Sequence, residues 1–325
     1  MENIVQRSRD FGAFIFFIVI ISLFLLGDFF VTSVSVPTPA LQVGTIFLSI
    51  LLEAIPFILL GVFASALIQT FVSEQTVQKW IPQHPVVSLV PAAVVGALLP
   101  ICECAIIPVV RRLIAKGMPL HVGVVIMVTA PILNPVVFAS TYYAFSSNMN
   151  IVYGRMGVAF VVSLIIGFIM YVIFRHRLPL KPMKHSHDHH TNHRLTATLI
   201  HAVDEFFDVG RYLIIGAFVA SFFQVAINRE ILVEIGQHEV LAPALMMALA
   251  YVLSICSEAD AFVAASFTST FTPASLLAFL VYGPMIDFKN TLMMLAYFRL
   301  MFVVIFISIV TIVVYVSVYI FQLVV

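Results

Sequence analysis

The chain has 325 residues, with 16 Lys and Arg against 16 Asp and Glu, 62% hydrophobic residues and only 10% charged ones. Soluble chains carry about 25% charged residues, so this composition excludes an ordinary soluble enzyme, and the formal net charge of zero excludes a basic nucleic-acid-binding surface. With a mean hydropathy of +1.11, the chain reads as an all-α integral membrane protein, held in membrane lipid.

After a short polar head, the first apolar run covers 11–33. It is too long for a signal-peptide core and lacks a small-residue cleavage site, so 1–43 is predicted to form an N-terminal transmembrane helix. Further runs of spanning length fall at 44–72, 120–146, 151–174, 197–228, 272–298 and 300–323. Two other apolar regions, 85–116 and 240–271, are interrupted in the middle. Pro100-Ile-Cys-Glu-Cys104 breaks the first, and Ser254-Ile-Cys-Ser-Glu-Ala-Asp260 breaks the second. Each half has about 15 residues, too few to cross a hydrocarbon core of about 30 Å alone.

The runs repeat. LLGVFASALIQ (59–69) resembles IIGAFVASFFQ (214–224), pairing Gly61 with Gly216, Phe63 with Phe218 and Gln69 with Gln224. Ile-Cys-Glu-Cys (101–104) falls on Ile-Cys-Ser-Glu (255–258), and Pro-Ile-Leu-Asn (131–134) on Pro-Met-Ile-Asp (284–287). The order is kept and the spacing is nearly constant, which predicts an internal duplication: a first permease-like repeat at 44–175, a linker at 176–196 and a second repeat at 197–325.

Charge sets the orientation, because Lys and Arg concentrate on the cytoplasmic side. If each interrupted region enters and returns on one side and the N-terminus is cytoplasmic, twelve of the 16 basic residues are cytoplasmic. Arg155 and Arg229 then lie outside, and Arg211 and Lys289 within spans. Full crossings would place Arg111, Arg112, Lys116 and the 175–194 stretch on the wrong side. The expected fold is therefore two repeats of inverted topology, each with three transmembrane helices and a re-entrant broken-helix hairpin, preceded by the extra N-terminal helix. Such repeats hold their substrate where the broken helices meet near the midplane, in a multi-pass protein of the cell (inner) membrane.

The candidate site follows from that placement. Cys102, Glu103 and Cys104 stand at the first tip, and Cys256, Glu258 and Asp260 at the second. Intramembrane carboxylates cost about 2.5–3.5 kcal/mol each on insertion scales and mark ion paths, proton relays or buried pairs. The bland alternative for the cysteines is packing, since free Cys often acts as a small hydrophobe. Thiolates beside carboxylates suit soft or borderline metals and metalloids. The Cys-x-Cys spacing without a second pair argues against a closed structural zinc site.

Pro131, Asn134 and Pro135 interrupt one span, and Pro284, Asp287 and Lys289 the matching one. Each proline removes a backbone donor, so these are candidate kinks or gates. Asn134 and Asp287 would form matched polar walls, with a plain Asp287–Lys289 ion pair as the alternative. The linker carries His185, His187, Asp188, His189, His190 and His193, a His-rich tract suited to Zn, Cu or Ni or else only a solvated connection. Glu205, with Asp204, Asp208 and Arg211, reads as structural pairing.

No Gly-x-x-x-x-Gly-Lys-Ser/Thr, His-Glu-x-x-His or Gly-x-Ser-x-Gly occurs, so neither an ATP site nor a cofactor is expected. The ICECAIIPVVRRLIAKGMPL stretch, TAPILNPVV and ICSEADAF resemble the arsenical-permease-like family of predicted permeases over roughly 44–323. The resemblance implies a polytopic inner-membrane permease rather than an enzyme, with branches linked to efflux of trivalent organoarsenicals or of copper or zinc. It also implies a second small membrane or extracytoplasmic subunit as partner. It bears on Cys102, Cys104, Pro131, Asn134 and Pro135, and more loosely on Cys256, Glu258 and Asp260.

Three functions remain open on the sequence. One is secondary-type efflux of a thiophilic metal or metalloid, with the three cysteines as ligands and Glu258 and Asp260 exchanging protons. Another is a membrane thiol oxidoreductase using Cys102 and Cys104, whose Cys-x-Cys disulfide would be geometrically demanding. The last is a permease subunit for a non-metal solute, with the cysteines as packing.

Overall fold

The computed structural model describes residues 38–71, 84–99, 101–175, 179–181, 194–226, 238 and 240–324. The predicted helix at 11–33 and the His-rich tract lie outside them. The chain divides into two compact units, Met1–Thr45 and Ile46–Val325.

The described residues are helical, apart from turns and one isolated antiparallel bridge between Leu180 and Phe298. The helices are α1 (Thr38–Phe71), α2 (Leu89–Leu98), α3 (Glu103–Ala115), α4 (Leu120–Leu133), α5 (Pro135–Ala144) and α6 (Met149–Phe174), then α7 (Arg194–Ala226), α8 (Leu241–Leu253), α9 (Asp260–Ala265), α10 (Pro273–Met285), α11 (Phe288–Tyr297) and α12 (Leu300–Val324). Five stretches are long and apolar enough to cross a membrane: Thr38–Ile68, Leu120–Ala144, Met149–Phe174, Glu205–Ala226 and Leu300–Leu323. This is a multi-pass membrane protein. A backbone in lipid must satisfy its own hydrogen bonds, and helices do so within one segment.

Two of the expected continuous spans are broken. Region 120–146 divides at Asn134, and 272–298, read as one span, is two helices separated at Ile286 and Asp287. The cause is the same in both. A short polar side chain takes extended backbone at the break and caps the following helix: Asn134 Oδ1 accepts from Val137 N (2.9 Å), and Asp287 Oδ1 from Asn290 N (2.7 Å). Such caps satisfy a donor that the helix start would otherwise leave orphaned. Pro131 and Pro284 lie buried three residues before each break, and Pro135 takes the first position of α5, where its missing N–H costs nothing.

Contacts along the helices fix their directions. Ser88, just before α2, lies beside His121 at the start of α4, with Oγ and Nε2 3.4 Å apart, and Gly96 near the end of α2 faces Thr129. So α2 runs parallel to α4. The end of α3 lies beside the start of α4, with Val110 and Ile114 against Gly123, so both outer ends of the α2–α3 segment lie at the start of α4. The last helices of the two halves, α6 and α12, are antiparallel to each other: the rings of Phe174 and Phe302 are 5.4 Å apart at one end, and Gly154 meets Phe321 at the other.

The packing of the halves also matches. In the first, α4 lies between α2 and α6; in the second, α10 lies between α8 and α12; α4 and α10 meet each other. Further contacts cross between the halves, among them α3 on α11 and α9 on α5. Nearly every residue of α4 and of α10 is buried, so these two helices form the centre, whereas α5 buries only Val137 and Thr141 and the long helices present apolar side chains such as Leu60, Phe168 and Ile312 outward.

Arg155, which the charge reading counted outside although the predicted span 151–174 contains it, is not exposed to water. It sits in the second turn of α6 and is fully buried, because an acidic partner from the other half reaches it.

Candidate functional site

Cys102 closes the break before α3, with extended backbone at φ −71°, ψ 166°. The first tip therefore presents Cys102, Glu103 and Cys104 at a helix N-terminus, all three buried. Cys102 and Cys104 stand two positions apart at this tip, both as free thiols. Glycine at position 61 lets α1 come this close, since a Cβ there would lie 2.7 Å from Ala105 Cα.

The second tip is built differently. Ser254 ends α8 in the left-handed region, at φ 49°, and its hydroxyl both donates to Tyr251 O (3.1 Å) and accepts from Phe288 N (3.2 Å). That strained residue turns the chain away from α8 and is held there by both neighbours. Residues 254–259 then run outside helix before α9 begins at Asp260. The Cys256 thiol donates to Glu258 Oε2 at 2.6 Å. Cys256 is buried and Glu258 partly so.

The tips and the breaks come together. Lys289 Nζ lies 3.9 Å from Glu103 Oε1 and 3.7 Å from Asp287 Oδ2, with all three side chains almost wholly buried. The Asp287–Lys289 pair, the alternative that the sequence offered, is thus part of a trio spanning both halves. Ser254 of the second tip accepts from Phe288 N beside Asp287, so both tips adjoin the α10–α11 break. α3 and α11 run parallel and in register beneath it: Glu103 pairs with Lys289, and eight residues on the Arg111 guanidinium lies 4.4 Å from the centroid of the Tyr297 ring. Arg112 bonds Glu205 Oε2 at 3.3 Å, which also accepts from Ser65 at 2.9 Å, so Glu205 is a structural partner as expected.

Asp260 lies apart from the trio. Its Oδ2 is 2.7 Å from Arg155 Nη2. Sequence reasoning missed Arg155, together with Thr141, Ser254 and Ser257, whose polar atoms hold the second tip. An arginine inside an apolar run was the available signal: a buried guanidinium requires an acid. Asn134 is buried at its cap, and its Nδ2 donates to Ala130 O at 3.0 Å, the carbonyl one turn before the break.

All three cysteines are free and buried. Among the described residues no group of three or more His, Cys, Asp or Glu side chains is placed to hold a metal ion. The arrangement offers two thiols on one tip, and a thiol with a carboxylate base on the other.

Comparison with known proteins places the chain. The profile of a family described as predicted permease matches residues 40–323. The chain is 50% identical over 272 residues to the UPF0718 protein YcgR of Bacillus subtilis (strain 168), covering 82% of this chain and 92% of that protein. It is 39% identical over 277 residues to a protein of Streptococcus mutans serotype c (strain ATCC 700610 / UA159) named as a subunit of a two-component membrane permease complex, covering 84% and 92%. No solved structure matches it. With the match running across both halves and both tips, the chain belongs to the arsenical-permease-like family of predicted permeases.

Proposed function

We propose that this permease exports a thiophilic metal or metalloid by secondary transport, through a site that the two tips share between two repeats of inverted topology. The inverted reading is supported by the matched packing of the halves and by the antiparallel course of α6 and α12. In this arrangement 44–175 and 197–325 are the repeats, and the basic ends near Arg111, Arg112 and Lys116 face the cytoplasm of the cell membrane.

The observation that carries the cargo class is the pair of free, buried thiols of Cys102 and Cys104 on one tip, with a third free, buried thiol on the other, Cys256, whose proton is directed at Glu258. A trivalent metalloid with one organic substituent needs two sulfur ligands, which one tip supplies, whereas a structural Zn(II) site needs four ligands. Lys289 and Arg155 offset the buried carboxylates, which disfavours a free dication and suits a neutral trivalent hydroxide. Binding exchanges its two hydroxyls for two thiolates, the thiol protons leaving as water. In the exchange step Cys256 gives its proton to Glu258 as its sulfur replaces one first-tip thiolate on the metalloid, which stays bound to the other, and Glu258 passes that proton to the displaced thiolate. Asp260 stays in the Arg155 pair, Asn134 and Asp287 shape the path, and the histidines of the linker collect metal before entry.

A second subunit completes the transporter in this reading, on the strength of the Streptococcus mutans relative's name. The cargo class is tested by thermal-shift screening of the purified chain with Zn(II), Cu(I), methylarsenite and phenylarsenite. Selective stabilisation by the two arsenicals is expected; stabilisation by none of the four contradicts the reading.

A further inference from the structure

Residues 254–259 have no helix of their own, and Arg155 reaches across from the other half of the chain to hold them. Its Nη2 bonds the Asp260 carboxylate at 2.7 Å and the Ser257 carbonyl at 3.4 Å, while Nη1 bonds Thr141 Oγ1 at 2.8 Å. Thr141 Oγ1 donates to Val137 O at 2.7 Å, and Val137 N is the group that Asn134 caps at 2.9 Å. On the tip side, Asp260 N bonds Cys256 O at 2.9 Å. A continuous hydrogen-bonded chain therefore runs from the Asn134 break in the first half, through α5 and Arg155, to the Cys256 backbone in the second. The first tip has the reverse arrangement, since Lys289 of the second half lies against its Glu103.

We infer that Arg155 is a positioning residue: it ties the second tip to α5 and α6 and so sets where the Cys256 thiol stands, as Lys289 does for the first tip. Each half thus holds the acid-bearing tip of the other with one buried cation. Nε of Arg155, Oδ1 of Asp260 and Oγ of Ser257 are buried with no hydrogen-bond partner among the described residues. A helix-locked structural pair would be saturated, and buried polar groups are seldom left unmet. Spare donors and acceptors around one guanidinium give the latch a second set of bonds to make when the tip shifts. The inference rests on the reading of 254–260 as part of the transport site, but it concerns the tip's mobility and needs no cargo.

The test is the rate at which N-ethylmaleimide, a small membrane-permeant probe, alkylates each cysteine of the full chain in membranes, resolved by mass spectrometry. Losing a hydrogen bond to a charged group should open the tip about tenfold more often. Arg155→Met is expected to raise labelling of Cys256 by about that factor while Cys102 and Cys104 keep the wild-type rate, and Arg155→Lys to recover protection in part. Thr141→Val, a milder change of similar shape, is expected to raise Cys256 labelling in the same selective way, and it serves if Arg155→Met does not fold. Equal acceleration at all three cysteines, or unchanged Cys256 labelling in folded Thr141→Val, overturns the inference. Neither result bears on whether thiols bind the cargo, so the proposed function stands or falls separately.

Discussion

Replacing Lys289 by methionine is expected to destabilise the chain by about 3–5 kcal/mol, the range for leaving buried charges without their partner. Glu103 and Asp287 would both lose the ammonium, and Glu103 Oε2 and Asp287 Oδ2 already lack a hydrogen bond. The matched break explains which half of the interaction is dispensable. Asn134 caps α5 as Asp287 caps α11, and both residue types cap well, so the carboxylate at 287 is present for Lys289 rather than for the helix. Accordingly Asp287→Asn with Glu103→Gln should restore most of the stability lost in Lys289→Met, measured as the thermal midpoint of the purified protein. A Lys289→Met protein as stable as wild type would show that the trio contributes nothing to the fold.

The second large effect is on transport. Cys102→Ser with Cys104→Ser keeps two small polar side chains at the break but removes soft ligands, and serine oxygen is a poor partner for a thiophilic ion. Loss of an outer-shell partner alone costs about 10–100-fold in metal affinity, so loss of two ligands should reduce export of methylarsenite or phenylarsenite by more than that, read as intracellular arsenic at steady state. The thermal midpoint should change little, because Ser is nearly isosteric with Cys and leaves no large cavity at either position. Full export in the double variant would point to packing cysteines and to the non-metal solute reading.

Much of this site was legible in the residues because the residues are expensive. Cys-Glu-Cys, Glu258 and Asp260 stand out in an apolar chain, since a carboxyl placed there must have a partner. The breaks at Asn134 and Asp287 could be located from the prolines, yet not their depth. A proline kinks a helix, whereas the side-chain cap starts a new one, and only the cap's hydrogen bond distinguishes them. This is why 272–298 read as a single span. The burial of Arg155 was hidden for a related reason: its long-range partner Asp260, 105 positions away in sequence, has no local signature. The register of α3 on α11 was likewise hidden, because Glu103–Lys289 and Arg111–Tyr297 are contacts between repeats.

The central claim, that tip thiols hold the cargo, is most directly tested by X-ray absorption at the arsenic edge on the purified wild-type chain loaded with phenylarsenite. Sulfur neighbours at the arsenic are predicted, replaced by oxygen or lost in Cys102→Ser, Cys104→Ser. Bound arsenic with only oxygen and carbon neighbours in the wild type would contradict the account.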